Sequence, residues 1–205
     1  MISVSEALER LKQGNQRFAA GVRSVDALAK QIQRASLVDR QAPFAVILGC
    51  SDSRVPAETV FDQGLGDLFV IRVAGNIVAP SQIGSVEFAV ERFGTPLVVV
   101  LGHSNCGAVT ATIDDLRSPN PDHSDNVMSI VRRIRPTVEP LFGTELRHQP
   151  EQLLSAAIRA NILCSTNQLR HGSTLLEQLI QQGKLSIVGA EYSLETGLTE
   201  FFEDL

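Results

Sequence analysis

Residues 44–54 read FAVILGCSDSR, and residues 97–107 read LVVVLGHSNCG. Each stretch is a short apolar run that ends in glycine and then a side chain able to bind metal. The first delivers Cys50, Asp52 and Arg54; the second delivers His103 and Cys106. A continuous run of Val, Ile and Leu, without alternation, is the pattern of a strand covered on both faces, and it predicts a parallel sheet. In open parallel sheets the side chains at the carboxyl ends of strands share one crevice, where ligands bind. Two thiols and one imidazole delivered to that crevice predict a zinc site with three protein ligands and an open position, the arrangement of a catalytic zinc.

Working outward, residues 68–73 and 185–189 repeat the apolar composition, and residues 192–202 leave room for a turn and a short edge strand. Helical periodicity fills the intervals. Ser3-Val4-Ser5-Glu6 fits a capping box, and Val4, Leu8, Leu11 and Phe18 fall on one helical face. This opening helix precedes the sheet, so it packs on the outside of the sheet or on a partner subunit. A second short helix is predicted over 26–38. Ile83, Val86, Val90 and Phe93 form a stripe that Gly94-Thr95-Pro96 stops. Further helices are predicted over 106–116 and 151–170, the latter with Ile158, Ile162 and Leu169 inward. Residues 117–126, RSPNPDHSDN, have loop composition. Thr174-Leu175-Leu176-Glu177 reads as a second capping box, opening a helix that Gly183 closes. The expected fold is α/β: a mostly parallel central sheet of four strands plus an edge strand, flanked by helices. It forms a single domain over residues 1–205, with an N-terminal helical arm over about 1–40.

The composition narrows the function classes. A chain of 205 residues with 43% hydrophobic content can bury a sizeable core without staples. A net charge of −5 argues against nucleic-acid and anionic-membrane partners, which call for a basic face. Three cysteines, odd in number and sparse, do not make a disulfide framework. No signal-peptide pattern opens the chain and no apolar run approaches the length of a membrane span, so a cytoplasmic protein is expected.

Zinc suits two soft thiolates and one imidazole better than other metals do. A structural zinc would close its shell with a fourth Cys or His. Cys164 lies inside an apolar helical run and reads as core, while His123, His148 and His171 read as solvated, so the fourth position falls to water. Zinc polarises that water toward hydroxide near neutral pH. Two thiolates cancel the metal charge and weaken this effect, so neighbouring groups must help. Asp52 and Arg54 alternate with Ser51 and Ser53, and both can face the crevice. Arg54 then holds the Asp52 carboxylate off the metal, and Asp52 accepts the hydroxide's hydrogen bond.

The motifs CSDSR (50–54) and HSNCG (103–107) resemble those of the β-class carbonic anhydrases of bacteria and plants. The likeness continues through GNQRF (14–18), CSDSRVPAE (50–58), GDLFVIRVAGN (66–76) and GSVEFAV (84–90). It implies reversible hydration of carbon dioxide to bicarbonate and a proton. One Zn2+ per subunit would sit on Cys50, His103 and Cys106, with the Asp52–Arg54 dyad as gate. It further implies a homodimer or homotetramer with active sites at subunit interfaces. Gln41 matches the family's substrate-orienting glutamine, Phe69 and Ala74 match apolar pocket positions, and Gly107 offers its backbone N–H. Phe88 stands where plant members carry a pocket tyrosine. Arg72 and Tyr192 match a bicarbonate regulatory pocket found in some members, but its Trp position is Ile47 here. Two other readings of the site remain: hydrolysis of carbon disulfide or carbonyl sulfide, and a non-catalytic zinc-binding scaffold.

Overall fold

The computed structural model of the protein describes residues 2–32, 37–39, 41–118 and 124–202. One sheet contains β1 (Ala45–Gly49), β2 (Leu68–Arg72), β3 (Leu97–His103), β4 (Ser186–Tyr192) and β5 (Thr199–Phe202), in the order β2-β1-β3-β4-β5. The first four strands run parallel, and β5 pairs antiparallel with β4. The mostly parallel four-strand sheet is the one the apolar runs predict, and β5 is the edge strand expected within 192–202, here paired antiparallel. β4 continues past the apolar run to Tyr192, because it pairs with β3 as far as His103.

Among the described residues, eight α-helices surround the sheet: α1 (Val4–Ala19), α2 (Val25–Ile32), α3 (Ala57–Val60), α4 (Pro80–Phe93), α5 (Gly107–Arg117), α6 (Asp125–Val138), α7 (Pro150–His171) and α8 (Thr174–Gln181). Val46, Leu48, Val98 and Val100 pack on one face against α4 to α8, with Ile134, Ile158, Ile162 and Leu176 among their partners. Ala45, Ile47, Leu97, Val99 and Leu101 pack on the other face with Ala7, Leu11, Val60 and Phe61. Both faces of β1 and β3 are therefore dry, which is why their sequences do not alternate. Each fully buried Val, Leu or Ile contributes roughly 1.5–3 kcal/mol.

The capping box at Ser3 forms as read: its hydroxyl accepts from Glu6 N while the Glu6 carboxylate accepts from Ser3 N. α1 packs on α3 and β3 of its own chain, the outside-of-the-sheet alternative. The second helix is present over Val25–Ile32, covering the predicted span from its first residues on, and residues 33–36 of that span lie outside the described residues. Gly94 ends α4 in the left-handed region at φ 65°. The second capping box is a correction. Thr174 is already helical, and Ser173 caps α8 by accepting from Leu176 N. Ser173 is extended and buried, and its hydroxyl also donates to Glu87 across to α4, a tie that sets the helix start one residue earlier. α6 lies over a stretch to which the sequence reading assigned no helix. Its last residues include Pro136, yet Val131, Ile134 and Val138 are buried at helical spacing. Of the predicted loop 117–126, residues 119–123 lie outside the described residues.

Three glycines set how closely the helices sit. A Cβ at Gly14 would lie 1.8 Å from the Phe61 carbonyl oxygen, so α1 and α3 meet backbone to backbone there. A Cβ at Gly102 would lie 2.5 Å from the Ile162 side chain, and one at Gly189 would lie 2.9 Å from it. Through them α7 settles onto β3 and β4. Gly14→Ala should lower unfolding stability by about 1–3 kcal/mol through overpacking, measured by urea denaturation. An unchanged urea midpoint would contradict the close approach.

Candidate metal centre

The chain leaves β1 at Gly49, makes β2 on one side, and returns to lay β3 on the other side of β1. The strand order reverses between β1 and β3, and at such a switch point the carboxyl ends open a crevice. Gly49 pairs with Leu101, so Cys50 and His103 leave adjacent strands at nearly the same height. After β3, Ser104 and Asn105 turn the chain, with Asn105 at φ 55°, and Cys106 becomes the cap residue of α5. The turn is tied down: Ser104 N donates to the Tyr192 carbonyl at 2.9 Å, and Leu194 N donates to the Ser104 hydroxyl at 2.9 Å.

The ligand atoms of Cys50, His103 and Cys106 all lie within 4.8 Å of one another, and all three residues are buried. Donors on a tetrahedral zinc stand roughly 3.3–3.8 Å apart, given bonds of about 2.0 Å to nitrogen and 2.3 Å to sulfur. The cluster is therefore close to the size a metal needs. His103 is fully buried, and its Nε2 has no hydrogen-bond partner. Its Nδ1 lies 2.9 Å from the Ser104 carbonyl, which places the ring proton there and leaves an Nε2 lone pair facing the thiols. A buried, unpartnered nitrogen beside two thiols is costly unless a cation completes it. The donor set fits one divalent metal ion.

The electrostatics of the cluster agree. The Cys50 thiol is pushed down, chiefly because Cys106 donates to its sulfur, with His103 and the Gly75 N–H helping. Cys106 is pushed up by the same contact, so the pair holds one proton that a metal would displace. Burial alone would lower the His103 pKa, but contacts with Cys50, the Ser104 carbonyl and Asp52 outweigh it and raise it. Asp52 lies at the rim. Arg54 grips its carboxylate with Nε at 2.9 Å and Nη2 at 2.7 Å, and Arg54 N adds a third bond at 3.0 Å. This grip holds Asp52 well below the usual carboxylate range. Its Oδ2 lies 3.9 Å from His103 Nε2, so the carboxylate looks into the space the three ligands face.

The other residues read from the sequence divide. Ala74 opens the 3₁₀ turn Ala74–Asn76, whose Gly75 N–H donates to Cys50 Sγ at 3.3 Å, and exposed Gly107 begins α5 beside Cys106. Phe69 on β2 and Phe88 on α4 join Phe93 in an aromatic cluster, with centroids 6.0–6.2 Å apart. Phe88 is 54% exposed there. Gln41 is exposed and stands before β1, near Gly66. Cys164, read as core, is half-buried on α7 and outside the cluster. His148 and His171 are exposed, and His123 lies outside the described residues. Ile47 is fully buried, and Arg72 donates to the Cys50 carbonyl at 3.1 Å and the Asp52 carbonyl at 2.5 Å. Arg72 thus braces the loop after β1.

Asn161, absent from the sequence reading, donates to the Gly75 carbonyl at 2.8 Å. One signal for it was available: a polar residue beside Ile158 and Ile162 on the inward face of a helix.

Fold and donor set together define an α/β protein with a candidate metal centre of two cysteines and one histidine. The sequence pattern of the family described as carbonic anhydrase matches residues 45–199. A carbonic anhydrase of Mycolicibacterium smegmatis is 40% identical over 194 residues, 95% of this chain and 91% of that protein. The β-carbonic anhydrase CcaA superposes with a TM-score of 0.73 at 27% identity, covering 96% of this chain and 88% of that one. Two tetrameric β-carbonic anhydrases from Sordaria macrospora share the fold, with a TM-score of 0.71 at 22% identity over 97% of this chain and 98% of theirs. The chain belongs to the carbonic anhydrase family of enzymes, in its bacterial β class.

Replacing Cys50, His103 or Cys106 by Ala should abolish tight binding of one metal equivalent, while Cys164→Ala keeps it. Equilibrium dialysis against zinc checks this; retention by Cys106→Ala with loss by Cys164→Ala would reverse the assignment.

Proposed function

We propose that the protein catalyses reversible hydration of carbon dioxide to bicarbonate and a proton in the cytoplasm, with one zinc ion held by Cys50, His103 and Cys106. The observation that carries this is the convergence of those three buried donors, with an unpartnered His103 Nε2, at the β1–β3 switch point. Zinc bound there would supply the Lewis acidity that brings the ionisation of water toward neutral pH. The remaining work falls to the chain. Asp52 stays ionised because Arg54 holds both its oxygens, so it is an acceptor and never a donor near the reacting water. Accepting that water's hydrogen bond aims an oxygen lone pair at the carbon of carbon dioxide. The new C–O bond makes bicarbonate, and the displaced proton leaves to solvent. Arg54 positions Asp52 and would hold its carboxylate off a metal bound there.

Among the described residues, no helix is long and apolar enough to cross a membrane. The proposal includes a homo-oligomer, dimer or tetramer, in which a second copy completes each pocket. The exposed ring of Phe88, packed on Phe69 and Phe93, supports this, since a large apolar side chain so placed marks an interaction surface. The Sordaria enzymes, which share this fold, are tetrameric. Gln41, Phe69 and Phe88 would then line the substrate pocket beside Ala74 and Gly107.

Stopped-flow hydration with a pH indicator tests the activity, and zinc removal should abolish it. Arg54→Ala should lower kcat/KM by about tenfold or more with zinc content unchanged, because catalysis by a positioned group typically contributes at least that much. Full activity in Arg54→Ala would refute the dyad's role. Phe88→Asp should shift the protein to smaller species by light scattering; an unaltered mass would remove Phe88 from the interface.

A further inference from the structure

Two hydrogen bonds in series connect the middle of α7 to a sulfur of the metal centre. Asn161 is 3% exposed, and its Nδ2 donates to the Gly75 carbonyl at 2.8 Å. The Gly75 N–H in turn donates to Cys50 Sγ at 3.3 Å. Between the two bonds Gly75 stands at φ 70° and ψ 20°, a left-handed conformation that glycine alone adopts freely. Nor is there room for a larger residue, since a Cβ at Gly75 would lie 2.7 Å from Ile134 Cδ1 and 3.0 Å from Ala108 Cβ. Left to itself, a glycine in a short turn between solvent-free walls has several backbone states. The Asn161 amide selects the one in which the N–H faces sulfur.

The reach of Asn161 is itself a product of packing. Its neighbour Ile162 occupies the space left by the missing side chains of Gly102 and Gly189, which brings α7 down onto β3 and β4. Asn161 is on a helix that supplies no ligand, yet it lies within one hydrogen bond of the turn that touches one.

We propose that Asn161 is a positioning residue of the metal centre, holding Gly75 so that its N–H donates to the Cys50 sulfur and sets the donor strength of that ligand. A hydrogen bond to a thiolate withdraws charge from sulfur, so the metal keeps more of its own charge for polarising water. That matters here because two thiolates would otherwise neutralise the ion. Partners of metal ligands commonly govern metal affinity by ten- to hundredfold. The inference rests on the reading of Cys50, His103 and Cys106 as zinc ligands, and its test separates the two.

Three variants of the full chain suffice: Asn161→Leu, Asn161→Asp and Thr166→Val. Asn161→Asp keeps the shape and removes the donor. Thr166 is buried on the same helix and donates only to the Ile162 carbonyl, so Thr166→Val disturbs α7 without touching Gly75. Zinc affinity is read by competition with a chromophoric chelator, and the thiolate-to-metal charge-transfer band is read in the cobalt-substituted protein. Both Asn161 variants should weaken zinc binding about tenfold or more and shift the band, while Thr166→Val matches the unaltered protein on both counts. A third reading needs no variant: in protein loaded with cadmium-113, the Gly75 amide proton should show scalar coupling to the metal through the N–H···S bond. Asn161 variants with unaltered affinity and band, an equal loss in Thr166→Val, or absence of that coupling each overturn the inference. An unaltered chain that binds no zinc overturns the zinc reading and this one together.

Discussion

The in-register parallel pairing of β1 with β3 is the constraint on which the site depends. Gly49 opposite Leu101 places the first residue after β1 beside the last residues of β3. A slip of one residue would turn every side chain of one strand to the other face. Cys50 would then point to the core that holds Ala7 and Leu11, and His103 would lose its companion. What resists the slip is burial on both faces: Val46 and Leu48 serve one core, Ala45 and Ile47 the other. The packing that stabilises the fold and the geometry that brings two ligands together are thus one set of contacts.

Around that pairing, the backbone of the centre is held almost entirely by hydrogen bonds from residues that are not ligands. Arg72 ties the Cys50 and Asp52 carbonyls, Gly75 donates to the Cys50 sulfur, and the Tyr192 carbonyl and Leu194 N–H clasp Ser104. These bonds come from β2, the turn after it, and the end of β4 with the residue just beyond, so two outer strands brace the residues that β1 and β3 deliver. Short loops braced this way hold donors in place before a metal arrives, which lowers the ordering cost of binding.

The distribution of charge follows the same division. Asp52 and Arg54 sit at the rim, where solvent screens them and their pairing contributes little to stability. Their bidentate geometry matters for orientation instead. Several buried polar side chains are partnered at a distance: Asn161 on Gly75, Asn15 on the Val60 and Gly197 carbonyls, and Asp62 between Arg17 and Arg23. Asn15 ties α1 to Val60 of α3 and to Gly197 just before β5, and Asp62 ties Arg17 of α1 to the end of α3.

By itself the sequence determined the sheet, its parallel sense and the meeting of Cys50, His103 and Cys106 at the ends of its strands. Unbroken apolar runs can be satisfied only by burial on both faces, and soft donors at strand ends have few other uses. The capping box at Ser3 and the stop at Gly94 were equally legible, because local hydrogen bonds and a left-handed glycine need no distant partner. Tertiary structure alone decided the rest. The start of α8 moved to Ser173 because Glu87, far off in sequence, takes its hydroxyl. α6 holds together over Pro136 because Ile134 and Val138 are buried in the core. The contact of Asn161 with Gly75 depends on where α7 settles over two glycines of β3 and β4, and that of Arg72 on β2 pairing beside β1. Such approaches join residues 27 and 60 positions apart in sequence, Gly189 and Gly102 each against Ile162, and a linear pattern carries no record of which distant side chain fills the space a glycine leaves.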